Sequence, residues 1–201
     1  FIRQIEVDQM ESDDLIAYYC KKYHEKENII IYTNDRDLCQ LLEYDNVCVY
    51  LDNVKMLINK KSYYLLFKHH FKNLCLMKTL TGDASDCIKG IQGLAEPTLL
   101  KYFPEIAEKE ILLEEVLEKS KLIAEEKGGK TPKVIDSINR GIFLELGEMG
   151  VEQFKINQQI IDLLNPMLTK QAMSELVEVA EQPLDSEGRG SKNLLKYMTE
   201  D

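Results

Sequence analysis

Two stretches early in the chain are apolar almost without interruption, Asn28–Thr33 (NIIIYT) and Asn46–Leu51 (NVCVYL). Runs of this length bounded by polar residues predict strands covered on both faces, as in a parallel sheet. Ahead of them, Ile2, Ile5 and Val7 alternate with polar residues, so Phe1–Val7 reads as a short strand. Elsewhere the spacing changes to that of helices. Met10–Lys22 puts Met10, Asp14, Ala17 and Tyr18 on one side, and Leu38–Leu42 opens a second helix. Asp52–Lys61 reads as a turn or hairpin, Ser62–Met77 as a helix, and Lys101–Lys127 as one or two helices. Gly128–Pro132 (GGKTP) is a break, and helical spacing resumes as far as Gln182–Ser191. That last segment has the Pro, Gly and Ser of a linker, and a short Leu194–Met198 tail follows. No internal repeat is evident.

Strands alternating with helices predict an α/β fold, a mostly parallel sheet flanked by helices, with a helical C-terminal portion. The 201 residues suffice for one domain or two small ones. No apolar run approaches the length of a membrane span, so no membrane partner is expected. The five cysteines are odd in number and never spaced CxxC, which argues against a disulfide frame or a zinc site. They read as small buried hydrophobes of a reducing cytoplasm. The chain starts at Phe1, and it is expected to be part of a longer polypeptide.

The net charge of −10 is not that of a generic nucleic-acid binder. Its distribution changes the picture. Glu11, Asp13 and Asp14 open the first helix; Asp35 and Asp37 follow the NIIIYT strand; Asp83 and Asp86 stand three apart after Thr81-Gly82. Acidic first turns complement a helix dipole, and one of Asp35 and Asp37 can cap the next helix. Carboxylates beyond the carboxyl end of a buried strand, however, stand where open α/β sheets bind ligands. On a helix, Asp83 and Asp86 would share a face. Seven carboxylates brought together would repel, and bound cations are the natural compensation. Oxygen ligands favour Mg²⁺ or Mn²⁺ over zinc, and two such ions suit phosphodiester hydrolysis. Scattered surface acids are the plain alternative. Gly90 and Gly93, followed by a helix starting near Pro97, form a glycine turn able to present backbone amides to a phosphate. Lys68, His69, His70 and Lys72 read as a solvated basic face.

These residues resemble a known family. Glu11-Ser12-Asp13-Asp14-Leu15-Ile16-Ala17 is similar to the E-A-D-D-x-I-A motif of the 5′ nucleases, the flap endonucleases and 5′–3′ exonucleases. Thr33-Asn34-Asp35-Arg36-Asp37-Leu38-Cys39-Gln40-Leu41-Leu42 resembles their S-x-D-x-D-x-x-Q-L-L segment. Gly82-Asp83-Ala84-Ser85-Asp86, with Gly90-Ile91-Gln92-Gly93, resembles G-D-x-S-D-N-x-x-G-V-x-G and its helix–three-turn–helix. The likeness covers roughly Glu11–Leu100, and Gly129-Lys130-Thr131-Pro132 looks most like the bacteriophage ribonuclease H branch. Three departures stand out. Cys87 replaces the usual Asn, Ala95 a second glycine of the turn, and Pro97 a common basic residue.

The resemblance implies a PIN-like 5′ nuclease core within residues 1–80, a helix–three-turn–helix DNA-binding region in 81–127 and a helical extension in 128–201. Glu11, Asp13 and Asp14 would serve a first metal, Asp35 and Asp37 would lie near or between two ions, and Asp83 and Asp86 would serve the second. The implied cofactors are two Mg²⁺ or Mn²⁺ ions, with K⁺ as a further candidate at the helix–three-turn–helix. Lys89, Gly90, Gly93 and Thr98 would contact DNA. The implied activity is structure-specific 5′ nuclease cleavage in replication or repair, including primer removal. Its partners would be duplex, flap or RNA–DNA hybrid, a single-strand-binding protein or a sliding clamp. The family's first strand, its aspartates and its lysine-rich arch do not precede Phe1, so this chain alone is expected to have little activity. Two other readings remain at this point: a non-catalytic branched-DNA-binding module of the same fold, and a Mg²⁺-dependent phosphohydrolase of another class.

Overall fold

The computed structural model describes residues 5–8, 10–128 and 130–181. The chain divides into two units, residues 1–15 with 168–201 and residues 16–167. Helix α1 (Ser12–Tyr23) opens in the first and continues in the second. In the larger unit β1 (Ile29–Thr33) lies parallel to β2 (Val47–Leu51), with Ile31 opposite Val49. A 3₁₀ segment, Asp37–Glu43, crosses between them. A turn leads into β3 (Met56–Ile58), antiparallel to β2. The sheet order is therefore β1-β2-β3, with one parallel and one antiparallel pairing.

Three sequence expectations change here. Residues 1–4 lie outside the described residues, and Ile5–Val7 form no strand. β1 is covered on one face only: Ile31 is buried, whereas Ile30 and Tyr32 are 63% and 70% exposed. Its apolar run thus serves two faces with different fates, a distinction composition does not carry. The Leu38–Leu42 helix is a tighter 3₁₀ coil, and it buries Asp37 with Leu38, Cys39, Gln40, Leu41 and Leu42.

The expected Ser62–Met77 helix is three pieces. Helix α2 (Lys60–Phe67) starts on Asn59, whose side chain accepts from the Lys61 and Ser62 N–H groups at 2.9 and 3.0 Å. Ser62 Oγ accepts from the Asn59 N–H in return, a capping box of about 1 kcal/mol. Lys68 stops the helix in the left-handed conformation, with φ 62°. A 3₁₀ turn, Phe71–Asn73, then feeds α3 (Leu74–Thr81). This break turns His69 inward, so the solvated basic face is corrected: His69 is fully buried. Its Nδ1–H donates to the His70 carbonyl at 3.2 Å, which leaves Nε2 to accept from the Tyr63 hydroxyl at 3.3 Å. Lys72 is paired with Glu43 and Glu110. The buried Asn73 donates to the Ile106 and Lys109 carbonyls and accepts from the Ile111 N–H.

A two-stranded hairpin follows, β4 (Gly82–Asp83) with β5 (Ile88–Lys89). Asp83 and Asp86 are therefore not on a helix; Asp83 is in a strand and Asp86 in the hairpin turn. The hairpin folds back tightly onto α3. A Cβ at Gly90 would stand 2.0 Å from the Thr81 carbonyl carbon and oxygen, so no side chain fits there. Gly93, at φ +81°, meets nothing within 4 Å.

Helix α4 (Glu96–Tyr102) starts as expected, with Pro97 in its first turn. Then come α5 (Glu105–Glu108) and α6 (Leu113–Lys127), which ends on a left-handed Gly128. The region expected to be continuously helical is interrupted. Between α7 (Lys133–Arg140) and α8 (Glu152–Ile161) lies a second hairpin, β6 (Ile142–Phe143) with β7 (Gly147–Glu148). In the smaller unit α9 (Lys170–Glu181) buries Ala172, Leu176 and Ala180. The Gln182–Ser191 linker and the Leu194–Met198 tail lie outside the described residues. No described helix is long and apolar enough to cross a membrane.

Two cores fill the larger unit. One gathers Ala17, Cys20, Ile31, Val49, Ile58, Tyr63 and Leu74 around the sheet. The other gathers Met77, Leu80, Ile91, Leu99, Phe103, Ile138, Phe143 and Phe154 around the two hairpins. Cys20 and Cys39 are buried as expected, Cys48 and Cys75 partly so, and Cys87 is exposed.

Two outcomes follow from this packing. Gly90→Ala should cost about 2–4 kcal/mol of stability by forcing the hairpin off α3, measured as a lowered denaturation midpoint. An unchanged midpoint would refute the close approach. Burial holds the His69 pKa below its ordinary 6.5, the hydrogen bond to His70 opposing only in part. The unfolded chain then binds the proton more readily, so His69 contributes full stability above about pH 6.5 and loses it as pH falls. The loss approaches about 1.4 kcal/mol per pH unit. In His69→Phe, a pH 7 to 5 stability series should lose that part of its slope; an unaltered slope would refute the assignment.

Candidate metal centre

Three of the expected carboxylates meet. One oxygen from each of Asp37, Asp83 and Asp86 lies within 4.8 Å of the others. Asp37 comes from the 3₁₀ segment beyond the carboxyl end of β1, Asp83 from β4 and Asp86 from the turn after it. Asp37 is buried, Asp83 is almost so at 9% exposure, and Asp86 is exposed.

Local hydrogen bonds fix each one. Thr33 Oγ1 accepts from the Asp35 N–H at 2.9 Å, and Asp35 Oδ1 accepts from the Asp37 N–H at 2.8 Å. Asp35 therefore shapes the loop that presents Asp37. It lies beside the trio, and its charge raises the pKa of both Asp37 and Asp86. Asp83 Oδ1 accepts from the Ser85 N–H at 2.9 Å and from the Ser85 hydroxyl. The turn around Asp86 puts Cys87 at φ +59°, a conformation asparagine tolerates better than most residues. The departure from the family motif thus falls on a strained position.

Lys78, on the last turn of α3, joins the trio. Its ammonium pairs with both Asp37 and Asp83, and its side chain is 14% exposed. The two acids respond differently. Burial pushes the Asp37 carboxyl up to about 6, with Lys78 opposing and the charges of Asp35 and Asp83 adding to the rise. Burial acts on Asp83 too, but hydrogen bonds from Lys78 and Ser85 outweigh it and hold that carboxyl at about 2. Asp86 is raised by burial and then by the charge of Asp83. Asp37 Oδ1 is buried and accepts no hydrogen bond of acceptable geometry from any described group, although the ammonium is close. A buried carboxylate oxygen with an unfilled lone pair beside two further carboxylates fits a cation with oxygen ligands.

Glu11, Asp13 and Asp14 stand in and just before the first turn of α1, within the other unit. Burial raises the Asp14 pKa against a backbone hydrogen bond at Glu11. Of the residues expected at a DNA surface, Gly93 is exposed with open space around it. Gly90 is a buried packing position. Lys89 is paired with Glu145 at 2.5 Å, and Thr98 is half-buried in the first turn of α4. Sequence reasoning missed Lys78 and Ser85. It also missed the Arg36–Glu96 pair, 2.5 Å, that ties the Asp35–Asp37 loop to α4. Ser85 lay within the quoted motif; Lys78 carried no signal beyond standing five residues before Asp83.

Comparison with known proteins finds relatives in sequence and in fold. The 5′-3′ exonuclease N-terminal resolvase-like domain family matches residues 1–74. A 5′-3′ exonuclease of Mycoplasmopsis pulmonis is 28% identical over 185 residues, covering 85% of this chain and 61% of its own length. A 5′-3′ exonuclease of Bacillus subtilis is 35% identical over 109 residues, covering 52% of this chain and 36% of its own. The chain thus spans less than two thirds of the length of these relatives. Among solved structures, the bacteriophage T5 5′-exonuclease with divalent zinc ions bound matches with a TM-score of 0.64 at 16% identity, covering 85% of this chain and 59% of that one. A T5 flap endonuclease complex with DNA and metal ions matches with a TM-score of 0.61 at 18% identity, covering 86% and 60%. At these identities the structures show the fold. In sequence the chain is similar to 5′-3′ exonucleases, and its residues 1–74 match their N-terminal domain.

Proposed function

We propose that this chain is the metal-holding and duplex-contacting part of a 5′–3′ exonuclease or flap endonuclease, a phosphodiester hydrolase acting with divalent Mg²⁺ or Mn²⁺ in replication or repair. The observation that carries this reading is the trio Asp37, Asp83 and Asp86, with its unsatisfied buried oxygen on Asp37. Asp83 and Asp86 would hold one ion with Asp37 facing it. Glu11, Asp13 and Asp14 would serve another. When bound, such ions supply Lewis-acid stabilisation of the charge developing on the phosphate and an activated water.

The protein's own residues hold the geometry. Ser85 fixes Asp83, and Asp35 fixes the backbone of Asp37, so two of the three carboxylates are oriented before any ligand arrives. Gly93, open and in the left-handed region, allows a duplex phosphate to approach backbone amides ahead of α4. Residues 81–127 would form the duplex-contacting region in the manner of a helix–three-turn–helix. The five free cysteines agree with a reducing cytoplasm.

Asp83→Asn should weaken Mn²⁺ binding by this chain at least about tenfold and, in the complete protein, slow cleavage of a 5′-flap duplex by about a hundredfold or more. Duplex binding in Ca²⁺ should stay within about threefold, since the phosphate contacts lie elsewhere. Wild-type turnover in that variant would sink the metal assignment. Gly93→Val, by contrast, should weaken duplex binding and spare Mn²⁺ affinity, because bulk there meets the ligand and not the site. Unaltered duplex affinity, with the fold intact by circular dichroism, would take this turn off the binding surface.

A further inference from the structure

Lys78 is a cation already seated among the carboxylates. Its ammonium is in ion-pair contact with Asp37 Oδ1 and Asp83 Oδ2 together. An ammonium carries one positive charge and donates only along three N–H directions. A divalent metal ion carries two charges and bonds several carboxylate oxygens without that directional restriction. The lysine is therefore an incomplete match to a place lined by three carboxylates.

We propose that Lys78 is an internal stand-in for the divalent ion: its ammonium neutralises Asp37 and Asp83 in the metal-free protein and is displaced when metal enters, so that Lys78 sets the metal affinity of the site. This rests on reading the trio as a metal site, and it adds what that reading leaves open. Three carboxylates within 4.8 Å repel one another when nothing is bound. The ammonium offsets one of their three charges and keeps the metal-free hairpin closed on α3. The same charge opposes an incoming dication, because ion and ammonium compete for the same two oxygens. Its four-carbon stem, rooted on the last turn of α3, lets the ammonium move without disturbing the helix. Lys78 is thus a positioning residue with no part in the reaction itself.

The test is Mn²⁺ titration of the purified chain by calorimetry, with thermal melting in the absence and presence of saturating Mn²⁺. Lys78→Met keeps the apolar stem and removes the charge. It should bind Mn²⁺ about tenfold or more tightly than wild type. Its metal-free melting temperature should be lower than wild type's, and saturating Mn²⁺ should close most of that gap. Lys78→Arg, which keeps the charge, should stay within about threefold of wild-type affinity. A merely structural lysine would weaken binding when removed, so a gain in affinity separates the two roles. If wild type binds Mn²⁺ and Lys78→Met binds it equally or more weakly, the displacement is refuted while the metal site stands. If neither wild type nor variant binds Mn²⁺, both the site and the displacement fall. Should Lys78→Met not fold without metal, Lys78→Gln carries the same expectations.

Discussion

The hairpin carrying Asp83 can close only because residue 90 has no side chain. Its α-carbon lies against the Thr81 carbonyl, and the Ile91 N–H donates to the Leu80 carbonyl at 2.8 Å. That contact turns the chain back along α3 directly after the helix ends. Asp83 then stands beside Lys78, one and a half helical turns earlier, rather than projecting into solvent. From the other side Asn157 of α8 donates to the Lys89 carbonyl at 3.1 Å and the Thr79 carbonyl at 3.4 Å. The placement of Asp83 in the carboxylate cluster thus depends on a missing methyl group and a buried amide, neither of which belongs to the cluster.

The two carboxyls paired with Lys78 are shifted in opposite directions, and the balance of burial against hydrogen bonds explains why. Asp83 collects directed bonds from Lys78 and Ser85, so its charged form is favoured despite burial. Asp37 has Lys78 beside it as well, but its burial, with the charges of Asp35 and Asp83 adding, outweighs that contact. Burial alone would have raised both. The asymmetry leaves Asp37 as the carboxylate with most to gain from a cation, and it sits where the carboxyl end of β1 delivers it.

Much of this was legible in the sequence, for identifiable reasons. β1 and β2 were visible because their apolar runs are short, bounded by polar residues and rich in β-branched and aromatic side chains, and α4 because proline belongs in a first turn. The acidic trio was visible by motif. Its geometry was not: a spacing of three suggested one helix face for Asp83 and Asp86, whereas Gly82, at φ +80°, ends α3 and starts a strand. The burial of His69 depended on Lys68 taking a left-handed conformation, which nothing in its type foretells. Lys78 was hidden because one lysine on an amphipathic helix looks like any other until the hairpin brings acids to it.

The second hairpin shows what the first one's side chains add to the scaffold. Helix α7 leads through β6 and β7 into α8 as α3 leads through β4 and β5 towards α4, and each hairpin is closed by glycines. A Cβ on Gly141 would stand 2.2 Å from the Gly150 carbonyl oxygen, much as one at Gly90 would strike Thr81. The two hairpins are stitched together by an antiparallel bridge between Ile91 and Phe143, with Gln92 N–H donating to the Ile142 carbonyl and Leu144 N–H to the Gly90 carbonyl. Sequence comparison within the chain misses this pairing because the hairpins share little beyond their glycines. The first carries Asp83, Ser85 and Asp86; the second carries Leu144, Glu145 and Leu146 in its turn. Both are hairpins of two-residue strands, with turns of different length, and the acidic cluster is confined to the first, so the cluster comes from the residues placed on the hairpin and not from the hairpin itself.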